Sequence, residues 1–197
     1  MKSEEAEEKI DARQWLVARV APNTEKACRE RLIELGYDAF VASQQEIRIY
    51  KNGNRKKRKK IERVVITQYV FLHLTEQERR TVVTLPFVKA FLVNRSSEQR
   101  TFATVSDEQI RRLKRMLGQS EQAVQFITSG FTLGEEVIVM NLGTNDYAGR
   151  IVRVPGDNST YVGVRLDTLG CAYLEISPEN LLPAEKQDQQ KNKEKEL

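Results

Sequence analysis

His73 is the only histidine of the chain, and Cys28 and Cys171 are its only cysteines. A zinc site needs about four soft ligands within reach. These three residues are widely separated and no C-x-x-C occurs, so neither a metal centre nor a disulfide framework is expected. His73 sits in Phe71-Leu72-His73-Leu74, on the Phe71 side of a strand, with no Ser or Cys nucleophile at a useful spacing. No phosphate loop, G-x-G-x-x-G, H-E-x-x-H or paired-carboxylate motif is present. These residues point away from catalysis and from any cofactor.

The strongest chemical signal is a run of six cations, Arg55, Lys56, Lys57, Arg58, Lys59 and Lys60. Adjacent cations repel one another unless counterions or a polyanion relieve them, and each phosphate contact releases condensed counterions. The run reads either as a nucleic-acid contact or as a solvated loop. A second cluster, Arg111, Arg112, Lys114 and Arg115, falls late in a helical segment, where complementing the helix dipole is the alternative to a polyanion. Net charge is −3 over residues 1–12, +12 over 13–118, −5 over 119–184 and 0 over 185–197. A basic front and an acidic back predict two domains with different partners, a polyanion for the first and protein for the second.

The elements that must position these residues can be read from periodicity and punctuation. Residues 15–20 form an apolar, β-compatible run that Pro22-Asn23 breaks. Asn23 or Thr24 can cap a helix with Glu25 at its positive end, and Cys28, Leu32 and Leu35 share one face before Gly36 closes it. Residues 37–42 and 45–50 read as strands, and Asn52-Gly53-Asn54 as a hairpin turn with the basic run at its tip. Residues 61–72 resume the strand pattern. Tyr69 and Phe71 share a face of it, as sheet core or as an apolar patch for a protein partner. Thr75-Glu76-Gln77-Glu78 is a capping box whose helix Pro86 stops. Residues 87–93 predict a strand. Ser106-Asp107-Glu108-Gln109 opens a last helix with Ile110, Leu113 and Leu117 on its apolar face, closed by Gly118. Helices interleaved with antiparallel strands predict an α+β sandwich.

Residues 119–130 lack strong periodicity and read as a linker. From Phe131 the period becomes two, and four or five short strands punctuated by Gly143, Gly149, Pro155-Gly156 and Leu169-Gly170 suit a small closed β-barrel. The boundaries are thus a disordered acidic N-terminus (1–12), an α/β domain (13–118), a linker (119–130), a barrel (131–184) and a disordered tail (185–197). The longest apolar stretch, residues 64–74, is interrupted and far short of the ~20 residues a membrane helix needs. The acidic N-terminus is unlike a secretory signal, so the cytoplasm is expected.

In order and spacing, these segments resemble the NusG family of transcription elongation factors over residues 13–184. Gln14-Trp15-Leu16-Val17-Ala18 resembles the family's opening W-Y-V strand. Ile66-Thr67-Gln68-Tyr69-Val70-Phe71 resembles its F-P-G-Y-V-F strand. Residues 134–139 with 143–151 resemble the KOW motif of its C-terminal barrel. Thr67-Gln68 replaces Pro-Gly and Ile66 replaces Phe. With Val64-Val65-Ile66 and Leu169-Gly170-Cys171-Ala172, these departures are similar to UpxY-type antiterminators of capsular or exopolysaccharide operons.

The resemblance implies an N-terminal NGN-type α/β sandwich and a KOW/SH3-like barrel, with no enzymatic activity. It also implies binding of the clamp helices of the RNA polymerase largest subunit through Ile66, Thr67, Tyr69 and Phe71, with Arg80 and Thr81 near the opposite side of the cleft. Arg19, Lys26 and residues 55–60 would contact upstream or non-template DNA. Tyr147 matches an aromatic position through which barrels of relatives contact a small-subunit ribosomal protein or Rho; an ordinary loop aromatic is the alternative. The chain is then an operon-specific processivity factor acting as a monomer, or else a general pausing and termination factor coupled to Rho or the ribosome. The missing Pro-Gly favours the first. A ribosomal RNA-binding protein would be expected to carry a basic barrel, and this one is acidic.

Overall fold

The computed structural model describes residues 12–52, 55–94, 101–119, 122–140 and 147–183. The chain divides into two compact units, one from Met1–Ser43 with Val64–Asp107 and the other from Gln44–Arg63 with Glu108–Leu197. The architecture is α+β with antiparallel sheets.

In the first unit, β1 (Gln14–Arg19) and β5 (Tyr69–Leu74) pair antiparallel, Arg19 opposite Tyr69 and Gln14 opposite Leu74. The sheet order is β2 (Asp38–Phe40), β5, β1, β6 (Ala90–Phe91), with β7 (Thr104–Val105) also on β1. β1 and β5 are inner strands paired on both edges, and their side chains are packed over on both faces. Leu16, Ala18 and Val20 with Val70, Leu72 and Leu74 enter one core with Cys28 and Leu32 of α1 (Glu25–Glu34) and Val82 of α2 (Glu76–Val82). On the other face the Trp15 ring stacks on His73 with centroids 4.9 Å apart, Phe71 meets Phe40 at 5.7 Å, and Trp15 Nε1 donates to Asp107 Oδ1 at 2.8 Å.

Helix ends follow their local chemistry. Gly36, at φ +88°, and Tyr37 donate their backbone N–H groups to Ile33 and Leu32 carbonyls, a Schellman closure that tucks Tyr37 against the core. The Thr75 hydroxyl accepts the Glu78 N–H while the Glu78 carboxylate accepts the Thr75 N–H, so both arms of the expected capping box form. Thr24 is the N-cap of α1, but its hydroxyl turns back to the Ala21 carbonyl rather than capping the helix. Residues 87–93 yield only the two-residue β6, because Leu85 and the Pro86 turn take up the chain before it reaches β1.

The second unit holds α3 (Asp107–Gln119, with Asp107 in the first) and a sheet ordered β13 (Leu181–Pro183), β9 (Thr132–Val139), β10 (Tyr147–Arg153), β11 (Tyr161–Leu166), β12 (Gly170–Glu175), β8 (Gln125–Ile127). β8 lies within residues 119–130 and pairs antiparallel with β12. Gly163 permits close approach of β10 and β12: a Cβ there would lie 2.5 Å from Val152 and 2.8 Å from the Cys171 sulfur. Arg111 to Arg115 sit mid-helix in α3, and Glu108 pairs with Arg111 and Arg112, so the expected role at the helix C-terminus is corrected to local ion pairing. The unit also includes most of a two-stranded ribbon, β3 (Ser43–Asn52) and β4 (Arg55–Val64). Residues 1–11 of the expected acidic N-terminus, the turn residues Gly53 and Asn54, residues 141–146 within the expected KOW motif, and the expected tail lie outside the described residues.

Phe71 is 0% exposed. Phe71→Ala is expected to cost about 3–5 kcal/mol of stability by leaving a cavity, read as a lower urea midpoint. A midpoint like that of the wild type would mean the site is not packed core.

Candidate functional site

Burial decides which of the expected docking residues are accessible. Ile66 is 1% exposed and Phe71 is fully buried, so both are packing residues in this structure rather than surface contacts. Thr67 is exposed and Tyr69 half-buried. Between them Gln68 adopts φ +69°, the left-handed region that favours glycine, at the position where the family pattern carries Gly. The turn is tied down on both sides. The Gln68 N–H donates to Glu25 Oε1 at 2.6 Å, and the Val20 N–H donates to the Gln68 carbonyl at 2.9 Å. Glu25 is 2% exposed, so its carboxylate is a buried brace rather than a solvent-facing charge at the helix start.

This turn gathers four of the expected residues. Arg19 is exposed at the end of β1 opposite Tyr69, and half-buried Lys26 follows Glu25. Arg80 and Thr81 belong to α2, which leaves the opposite end of β5. Arg80 pairs with Glu76 at 3.1 Å and Thr81 Oγ1 donates to the Gln77 carbonyl at 3.3 Å. No hydrogen bond or ion pair among the described residues joins either to the Thr67 turn. Beside them Arg79 forks onto Glu76 with both contacts at 2.7 Å, and its guanidinium lies 4.0 Å from the Phe102 ring centroid. The Arg79 hydrogen bonds, helped by Arg80, hold the Glu76 carboxyl down to about 2.

The basic run is strand, not tip: Arg55 to Lys60 form the first part of β4. The side chains of residues 56–60 are exposed, and among the described residues no hydrogen bond or ion pair engages them; the Arg55 side chain lies outside the described residues. At the ribbon base, Gln44 is buried and donates to the Gln122 carbonyl at 2.7 Å while accepting the Val124 N–H at 2.9 Å. Arg63 donates to the Val124 carbonyl at 2.8 Å and to Glu46 at 3.0 Å. Gln44 and Arg63 were not expected from the sequence. The only signal is a polar side chain on the inward beat of a strand at each foot of the hairpin.

A cleft of about 340 Å³ in the second unit is lined by Glu108, Arg112, Leu133, Arg150, Arg165 and Asp167 among others. Its cations are matched by carboxylates, with Arg112 and Arg150 toward Glu136 at 3.6 and 3.5 Å and Arg165 toward Asp167 at 3.9 Å, so it presents little net charge. The Tyr147 side chain lies outside the described residues. Both cysteines are free and buried, and burial pushes the Cys171 thiol up to about 12. Among the described residues no His/Cys/Asp/Glu group is placed to hold a metal, and no helix is long and apolar enough to cross a membrane.

The sequence model of the family described as transcription termination factor nusG matches residues 13–114. A solved structure titled "Domain interaction in Thermotoga maritima NusG" is similar at 18% identity, covering 87% of this chain and 97% of that chain with a TM-score of 0.43. No curated protein matches.

Two measurements test the local physics. Glu25→Ala strands the Gln68 N–H and is expected to cost about 1–3 kcal/mol. Gln68→Gly relieves the left-handed backbone and is expected to add roughly 0.5–1 kcal/mol. The reverse order of stabilities in urea would dismiss the brace. Because the Glu76 pKa is depressed in the folded state, its stabilisation is full above the unfolded value near 4.5 and is lost as pH falls toward about 2. Glu76→Gln should flatten that part of the acid-unfolding curve. An identical curve in the variant would remove Glu76 from the account.

Proposed function

This chain belongs to the NusG family, and from that premise we propose that it rides on elongating bacterial RNA polymerase as a processivity and antitermination factor for a particular class of operon, capsular or exopolysaccharide. Members of the family bind RNA polymerase and act in transcript elongation. In the proposed complex the Thr67 turn docks on the clamp helices of the largest subunit. Thr67 and Tyr69 make the contact, Ile66 and Phe71 support it from beneath, and Arg80 and Thr81 approach the opposite side of the cleft. Arg19, Lys26 and residues 55–60 contact upstream or non-template DNA. The work is binding, not turnover, and it needs no cofactor.

The observation that carries the reading is the turn itself. An exposed Thr67 and a half-buried Tyr69 flank a left-handed Gln68 where the family pattern has Pro-Gly. Keeping a strained turn conformation with a non-glycine residue fits a changed surface on an unchanged frame, which supports a specialised paralog over the general factor. The net −5 charge of residues 119–184 supports a protein partner for the β-rich part, a small-subunit ribosomal protein or Rho, with Tyr147 as the proposed contact.

The test is capture of RNA polymerase from lysate on the purified protein. Wild type should retain polymerase and Tyr69→Ala should lose most of it while staying folded. Equal capture by both would sink the docking claim. An operon-restricted expression defect on deletion would separate the specialised reading from a general one, which predicts a genome-wide change.

A further inference from the structure

The two faces of the β3–β4 ribbon can be assigned from one contact. The strands are joined across only two residues, so they run antiparallel. Arg63 of β4 donates to Glu46 of β3 at 3.0 Å, so even-numbered residues of β3 share a face with odd-numbered residues of β4. One face therefore carries Arg48, Tyr50, Lys57 and Lys59. The other carries Ile47, Ile49, Lys51, Lys56, Arg58 and Lys60, with half-buried Glu62 toward the ribbon base. Ile47, Ile49 and Tyr50 are 61%, 56% and 47% exposed. Arg48 is held by Glu46 at 2.6 Å, which leaves two exposed lysines on the first face and four exposed cations around two isoleucines on the second.

We propose that this ribbon lies in the major groove of B-form duplex DNA, with the Ile47/Ile49 face toward the base edges and Lys57 and Lys59 of the outer face at the phosphate rims. This rests on the nucleic-acid part of the reading above and chooses its target. A flat anionic surface, such as a lipid headgroup layer, engages only one face of a ribbon and leaves the other face's cations unused. A groove about 12 Å wide and about 8.5 Å deep engages both, because it admits a two-stranded ribbon and its rims stand level with the outer side chains of a sheet about 10 Å thick. Lys56 to Lys60 extend over about 13 Å, or about four base-pair steps. Thymine methyl groups on the groove floor suit exposed isoleucines. A-form RNA has a major groove too deep and narrow for side chains to read. A single strand is held mainly by stacking on aromatic platforms, and the ribbon's exposed faces offer Tyr50 alone.

The experiment is fluorescence anisotropy of the full-length protein with one labelled sequence as DNA duplex, DNA single strand and RNA duplex, over a range of salt, beside co-sedimentation with phosphatidylglycerol vesicles. The DNA duplex should bind several-fold tighter than either alternative, with vesicles weakest. Lys57→Gln/Lys59→Gln should reduce the log–log salt slope for the duplex by about 1.8, since each phosphate contributes about 0.9, and Lys56→Gln/Lys60→Gln, on the inward face, should weaken duplex binding several-fold with a smaller change of slope. Ile47→Ser/Ile49→Ser should weaken duplex binding several-fold with the slope unchanged. All of these positions are exposed, and circular dichroism checks that each variant is folded. Tighter binding to the single strand, the RNA duplex or vesicles, or an effect from one face only, would overturn groove insertion. Absence of binding to every nucleic acid would overturn the nucleic-acid reading as well. Polymerase capture by the same variants reads the Thr67 docking claim separately.

Discussion

Glu25 lies at the first turn of α1 with its carboxylate out of water, and its Oε1 accepts the Gln68 N–H at 2.6 Å. Burying a carboxylate is costly unless hydrogen bonds compensate it. Here the bond holds the one backbone position between β4 and β5 that would otherwise relax out of the left-handed region. From that point β5 enters the sheet in register with β1, Tyr69 against Arg19. The same register sets which side chains of β5 face the α1 and α2 core and which face Trp15 and Phe40. A loosened turn would blur the surface around Thr67 and the strand alternation that follows it.

The two sheets and the ribbon meet the demand for hydrogen bonds and burial differently. β1 and β5 are flanked on both edges and both faces, and so carry nearly continuous apolar runs. The ribbon has one pairing partner per strand and carries charge on both faces. Its attachment depends on polar clasps, Gln44 and Arg63 onto the backbone of residues 122–124. A buried amide that donates and accepts at once fixes position without needing apolar volume.

Much of the framework was legible because its signals are local. The Thr75–Glu78 box and the Gly36 closure are decided within a few residues and appear as read. The alternation of Tyr69 and Phe71 placed them on one face, but period-two alternation cannot tell an inner strand from a half-exposed one. That depends on what packs over the face, as Phe40 does on Phe71, which is a property of the tertiary structure. It is why Phe71 and Ile66 proved to be core while Thr67 stayed accessible. The cationic run was visible as composition. Its strand conformation was not, since six adjacent like charges argue against β-structure until cross-strand hydrogen bonds outweigh them. The braces on Glu25 and Gln44 span 43 and 80 residues respectively, and no window of sequence contains both ends of either.

A two-stranded ribbon leaves an open backbone edge on each strand, and open edges invite a second copy to add on, edge to edge. Exposed Ile47 and Ile49 would reward such stacking. The lysines and arginines of β4 oppose it, because a second ribbon brings its own cations within a few ångströms of the first. Over about 8 Å that repulsion fades at physiological ionic strength. The cluster therefore acts at short range, as a guard against self-assembly along the ribbon. In concentrated salt that guard weakens while the apolar attraction grows.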